Sequence, residues 1–398
     1  MQAPDRKKVL VLTEAIILIA AVVALSFLST GLWGEKAHKG DAPLMLIPDD
    51  ILSIRNLART HHIPEQTLMK AFSLKVDADL DKTITDLGIS PERATRALER
   101  ALAVAAEQSS KNWKKITLKF VLWTAFLIMV FILMRRKVIT PSRRKALYLS
   151  AAILFGVLFG SDPNPMGTVK DAIILYGQSG AIFPPRLFAF AAFMVMVIAA
   201  NKFICSWGCQ LGTLQDLLFR LNRNRKDTSG IMRQYKIPFI ITNTVRVILF
   251  SVLTFAALAW ALDIIEPIDP FKVFHPGALI LGGALFTMAI LAASLFIYRP
   301  WCHFFCPFGL IGWLGEKVSV TRIRVNYDTC IACRACEKAC PSTVMGAILT
   351  RERIIPDCFA CGTCIHTCPT GSISLSAGRR PRPPDGKFSE EKTGRQVP

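Results

Sequence analysis

Two runs near the C-terminal end, CIACRACEKACP from Cys330 and CFACGTCIHTCP from Cys358, each spell C-x2-C-x2-C-x3-C-P. No other feature constrains the chain as strongly. Thiols at this spacing wrap three irons of a cubane cluster, and the fourth cysteine of each run crosses to the other cluster. By that rule Cys330, Cys333, Cys336 and Cys368 hold one [4Fe–4S] cluster, and Cys358, Cys361, Cys364 and Cys340 hold a second. Zinc sites also use C-x2-C pairs, but they need neither the doubled four-cysteine run nor the proline after each.

The chain has 12 cysteines. The other four form two pairs, Cys205 and Cys209 in CSWGCQLG and Cys302 and Cys306 in WCHFFCPFG, each at the end of an apolar run. The pairs belong to a repeat: apolar span, Asp-Pro loop (SDPNP, then EPIDPF), second span, C-x3-C, then an amphipathic helix expected at the membrane interface. Each unit has an even number of spans, so the two copies run in the same direction and predict a pseudo-two-fold axis along the membrane normal. Such an axis brings the four cysteines to one site, expected at the cytoplasmic membrane surface. Pro307 suits the first position of a helix, which puts Cys306 at the cap of a helix starting near Phe308, where partial positive charge favours a thiolate. Gln210 stands in the place of Pro307 in the first copy, so the argument is weaker there. The four thiols suit a third iron–sulfur cluster. The alternatives are a Cu(I) ion, for which thiolates are well matched, or packing as small apolar residues.

Apolar residues make up 52% of the 398, and mean hydropathy is +0.39, too apolar for an ordinary soluble chain. Six spans are expected, over 9–28, 116–134, 146–160, 187–204, 237–262 and 278–298. The formal net charge is +19, yet residues 35–112 carry 11 Lys/Arg against 12 Asp/Glu, so the positive excess lies elsewhere, close to the spans. Basic loops before the first span, between the second and third and between the fourth and fifth put both termini and every cysteine on the cytoplasmic side. That placement also fits free thiols in a reducing compartment. The expected fold is an α-helical integral membrane protein of the bacterial inner membrane. Its parts are an N-terminal anchor (1–30), a small outer all-helical module (31–112), a second transmembrane helix (113–137), membrane repeats over 146–221 and 237–318, a small cytoplasmic α+β two-cluster domain (320–378) and a disordered tail (379–398).

Other chemistry is excluded or weak. The chain has no C-x-x-C-H for covalent haem, no mid-span histidine for haem b, and neither a G-x-G-x-x-G run nor a P-loop. The positive charge reads as membrane orientation, not nucleic-acid binding. Asp162, Asp171, Glu266, Asp269 and His275 in the outer loops are candidates for proton handling near a quinone, though Asp-Pro pairs also serve as turn formers. Glu14 lies in the first apolar run, within reach of the interface. His61 and His62 are adjacent, and helix neighbours do not share a face for joint metal ligation.

Cys302, Cys306 and Pro307, with Cys205 and Cys209 as a second copy and the eight-cysteine module behind them, resemble the NapH/NosR-type membrane ferredoxins over residues 146–376. The resemblance implies electron transfer between the membrane quinone pool and redox partner subunits, with quinol dehydrogenase activity as the associated reaction, often in support of a reductase outside the cytoplasm. Relatives are also linked to copper handling during oxidase maturation, the alternative function. NosR-type proteins carry a larger outer flavin domain; here the outer segment is short, so a separate flavin- or haem-containing protein is expected to dock on 31–112.

Overall fold

The computed structural model describes residues 3–33, 53–60, 64–72, 74 and 76–388; His61 and His62 lie outside them. Ten helices carry the argument: α1 (Ala3–Trp33), α2 (Pro91–Ser109), α3 (Trp113–Arg135), α4 (Pro141–Ala151), α5 (Pro165–Ser179), α6 (Pro184–Ala200), α7 (Gln210–Leu221), α8 (Phe239–Trp260), α9 (Leu281–Ala293) and α10 (Pro307–Glu316).

Local chemistry sets several of their ends. The side chain of Asn112 accepts from Lys115 N at the start of α3, Thr140 from Arg143 N before α4, and Asn164 from Gly167 N before α5. Each oxygen satisfies a donor that the first helical turn leaves free. Proline opens α4, α5, α6 and α10, where its missing N–H costs nothing. Gly180 closes α5 at φ +63°, the left-handed conformation that glycine adopts without strain.

Three helices are long and apolar enough to cross a membrane, over Arg6–Gly31, Trp113–Arg135 and Phe239–Trp260. They match the first, second and fifth expected spans. The fourth and sixth correspond to apolar helices of 17 and 13 residues. The third is α4 followed by a π-helical stretch, Ala152–Leu158, whose wider turns fit Phe274 against Gly156, where a Cβ would stand 2.4 Å from the ring.

Two expectations need correction. The helices after the cysteine pairs are not interfacial: every residue of α7 except Leu221 is buried, as is most of α10. The charges of α7 are paired within the protein, Asp216 Oδ1 lying 2.5 Å from Arg220 Nε, so the helix needs no water on its polar face. Nor do the Asp-Pro loops stay on the far side from the cysteines. Gln210 Nε2 donates to Ser161 O and Pro163 O, both at 3.3 Å, which folds the first loop down onto the residue beside Cys209.

The remaining chain forms two smaller units. Ile54, Leu57, Leu68, Leu80, Ile84 and Leu98 are among the residues of a separate core in the outer helical module. The domain that carries the eight C-terminal cysteines is closed by β1 (Thr321–Val325) and β2 (Ile373–Ala377), antiparallel with Thr321 opposite Ala377 and Val325 opposite Ile373. Alternate residues of each strand are buried, as a half-covered sheet requires. Of the tail expected to be disordered from residue 379, the part up to 388 lies on this domain: Phe388 is buried against Tyr327, ring centroids 6.0 Å apart. The last ten residues lie outside the described ones.

Candidate metal centres

Each of the three cysteine sets read from the sequence is gathered in space, and none of the twelve thiols is in a disulfide. Cys340, Cys358, Cys361 and Cys364 line one cavity. In the other ferredoxin set, Cys330, Cys333 and Cys368 are the thiols whose charge Cys336 feels. The two motifs share one backbone shape. Ala332 and Arg334 in the first and Ala360 and Gly362 in the second all have φ between +49° and +76°, and successive turns of this kind aim N–H groups inward at an anion. Burial alone would raise the Cys368 thiol, but the Thr370 hydroxyl and the backbone N–H groups of Ser372, Thr370 and Ile373 donate to it and hold it below its ordinary value. Cys333 is exposed whereas Cys340, Cys358 and Cys364 are buried, so the first set is the more open to solvent of the two.

The membrane-edge cysteines also converge. Cys205, Cys209, Cys302 and Cys306 line one cavity. Its wall includes Pro165 and Met166 from the first Asp-Pro loop, Phe271 from the second, and Phe359 from the ferredoxin domain. The loops reach it by matching devices. Asn164 caps the turn that presents Pro165 and Met166, and Asp269 Oδ1 accepts from Phe271 N at 2.9 Å behind Pro270. The turn-forming reading of these Asp-Pro and Asn-Pro pairs therefore accounts for Asp269, although burial also pushes its carboxyl up to about 7.

The second cysteine of each pair occupies the same place: Cys209 caps α7 and Cys306 caps α10. Gln210 thus serves as well as Pro307 at the first helical position. Gly212 N–H donates to the Cys209 sulfur and Gly309 N–H to that of Cys306. Neither glycine has room for a side chain. A Cβ would stand 2.5 Å from Cys205 O at Gly212 and 2.6 Å from Cys302 O at Gly309. The motif is therefore C-x3-C-x2-G in both copies, a pattern that was present in both stretches of sequence but carried no signal without the geometry.

Buried charges surround this cavity, and sequence reasoning missed nearly all of them. Asp216 accepts from Tyr298 OH at 2.8 Å and from Arg299 at 2.6 and 3.1 Å. Asp357, next to Cys358, accepts from Lys202 Nζ at 2.6 Å and Arg246 at 2.9 Å. Burial would raise both carboxyls, but the cations beside them hold each at about 2. Arg246 projects from the apolar helix α8, where an isolated charge would be a functional suspect; the sequence shows that arginine plainly but not its partner. The ferredoxin domain is moored through this loop: Asn201 Nδ2 donates to Cys358 O at 2.6 Å, Trp207 Nε1 to Ala360 O at 3.2 Å, and Glu316 accepts from Cys358 N at 3.0 Å.

The donor set fits an iron–sulfur cluster. Burial pushes all four thiols up, Cys205 to about 12, so thiolates here need a cation among them. Trp301 in the cavity wall has an indole N–H with no protein acceptor.

A 4Fe-4S binding domain family matches residues 182–227 and again 279–326, so the second half of each membrane repeat, with its cysteine pair, is covered. A second 4Fe-4S binding domain family matches residues 323–343. In these segments the chain is similar to the NapH/NosR-type membrane ferredoxins. Its similarity to individual members is low. It is 28% identical to the putative electron transport protein YccM of Escherichia coli, over 43% of this chain and 50% of that protein. It is 26% identical to protein NirI of Paracoccus denitrificans over 72% and 45%, and 28% identical to the ferredoxin-type protein NapH of Escherichia coli over 37% and 50%. The chain thus spans about half the length of these three relatives. No solved structure matches it.

Two of the five outer-loop candidates, Asp162 and Asp171, meet at a further cleft. Asp162 and Asp171 line it with Lys111, Asn164, Thr168 and Arg186, and the rest of its wall is mainly apolar, from Trp113, Phe120, Phe183 and Phe188 among others. The segment 163–168 separates it from the four-cysteine cavity, Pro163, Asn164, Gly167 and Thr168 facing the cleft and Pro165 and Met166 the cysteines. Glu266 pairs with the buried Lys170 at 3.1 Å and lies outside the cleft lining, as does His275. Glu14 is exposed on α1, near enough to Lys145 to act on its charge.

Proposed function

We propose that this protein is an electron-transfer subunit of the inner membrane, with both termini and the ferredoxin domain on the cytoplasmic side and 31–112 on the outer side. In this reading Cys205, Cys209, Cys302 and Cys306 hold a third [4Fe–4S] cluster between a hydroquinone cleft and the two ferredoxin clusters. Such clusters supply one-electron transfer at potentials set by charge, hydrogen bonding and burial. One observation carries the proposal: Phe359 lies in the wall of both the four-cysteine cavity and the cavity of Cys340, Cys358, Cys361 and Cys364.

The chain's own groups do the rest. Apolar walls keep water from the four thiols, Phe359 fills the space between the two centres, and Cys333 opens the far end of the relay to a partner. The cleft suits an amphipathic quinone: a mostly apolar enclosure with a few convergent polar groups is the usual form of a small-molecule site. Asp171 lies there 3.5 Å from Arg186 and 3.1 Å from Lys170, a carboxylate placed to take a proton from a hydroxyl. Glu107 of the outer module holds Arg186 at 2.5 Å, so a redox protein docking on that module would act next to the cleft.

The test is iron, acid-labile sulfide and copper per chain on anaerobically purified protein. About twelve irons are expected, falling to about eight when Cys302 and Cys306 are replaced by serine, from four irons per cluster. Eight irons in the parent chain, with stoichiometric copper, would replace the third cluster by copper handling.

A further inference from the structure

Lys202 and Arg299 stand at the same point of the two repeats, three residues before Cys205 and Cys302. Each reaches across to the other copy. Arg299 donates to Cys205 O at 2.6 Å, and Lys202 Nζ donates to Gly309 O at 2.9 Å. Each also lies against the Phe359 ring, Lys202 Nζ at 4.6 Å from its centroid and the Arg299 guanidinium at 4.9 Å. Both side chains are fully buried, at 0% exposure.

Burying a charge costs several kcal/mol that its partner repays only with good geometry, so an apolar pair could tie the two repeats together at lower cost. The balance of sign around the cysteines argues for a second role. Asp357 is shared by Lys202 and Arg246, and Asp216 by Arg299 and Arg220. Each carboxylate thus faces two cations, and Asp227, which also holds Arg220, faces Arg144 and Arg223 as well, leaving surplus positive charge on both sides of a buried, thiol-lined cavity. Reducing a cluster adds negative charge, which nearby buried cations stabilise.

We infer that Lys202 and Arg299 are positioning residues that raise the reduction potential of the four-cysteine centre, so that it accepts electrons ahead of the ferredoxin pair. This rests on the reading that the four cysteines hold a cluster.

The test is a redox titration of the full chain, followed by electron paramagnetic resonance, with iron counted on the same samples. Lys202→Met lowers the potential, reducing the reduced-to-oxidised ratio at fixed potential by about tenfold per charge removed. Asp357→Asn raises it, and Lys202→Met with Asp357→Asn returns it close to the parent value. Arg299→Met lowers the potential and Arg299→Lys keeps it. A purely structural role cannot produce shifts of opposite sign that cancel in the double variant. About twelve irons with no shift, or with every variant moving the same way, overturns this inference alone. About eight irons in the parent chain overturns it together with the cluster reading. If Lys202→Met does not accumulate, Asp357→Asn and the Arg299 pair decide by the same signs.

Discussion

Replacing Gly309 by alanine tests the shape of the four-cysteine site more directly than replacing a ligand does. The added Cβ would lie 2.6 Å from Cys302 O, so the α10 start and the Cys302 turn must separate by about 0.5 Å or more to restore ordinary contact. Overpacking of this kind costs about 1–3 kcal/mol. It also acts on function, because the contact links the two cysteines of one pair and the Gly309 N–H serves the Cys306 sulfur. The expected outcome is loss of the third cluster with the ferredoxin pair intact, about eight irons where the parent holds about twelve, together with a lower melting temperature. Gly282→Ala is the control. Its Cβ meets nothing within 4 Å, and alanine in helix α9 should be neutral or stabilising by up to about 1 kcal/mol. Should Gly309→Ala keep its full iron and its melting temperature while Gly282→Ala behaves the same way, the geometry assigned to C-x3-C-x2-G is wrong.

Three other outcomes follow from the same contacts. Asp216→Ala leaves Arg299 and Arg220 without this buried partner and should cost about 3–5 kcal/mol, read as an earlier denaturation midpoint; a loss below about 1 kcal/mol would mean the network rearranges freely. Asp216 and Asp357, held at about 2 in the fold against 3.8 when free, contribute stability that is fully present above about pH 4 and is lost as pH falls toward 2. Acid unfolding should therefore steepen in that window, and less so in Asp357→Asn. Asp171→Asn should slow quinol-driven reduction of the clusters while leaving their reduction by dithionite unchanged; equal slowing of both would remove Asp171 from proton handling.

The ferredoxin module was legible because its ligands are local. Seven consecutive residues set the wrap around a cluster, and only the crossing of Cys340 and Cys368 needs the second motif. The repeat was legible too, since two C-x3-C pairs at the same place relative to apolar runs call for a common explanation. The apolar helices α1, α3 and α8 follow from hydropathy and length alone, whereas α6 and α9 end before the spans expected and α4 continues as a π-helical stretch.

What the sequence determined by itself was therefore the inventory: which thiols gather, in which sets, and that the chain has helices long and apolar enough to cross a membrane. What only the tertiary structure decided was what stands around them. Lys202, Arg246 and Arg299 look like ordinary basic residues at the ends of apolar segments, and Asp216 like the polar face of an interfacial helix. Their pairing joins residues 83 to 155 positions apart, and no periodicity or spacing records a contact of that range. The Asp-Pro loops gave the same lesson, since a loop between two spans reads as outward until a buried partner such as Gln210 holds it inside. Charge placed in a low-dielectric interior must find its counter-charge wherever the chain brings one, and only the folded molecule shows where that is.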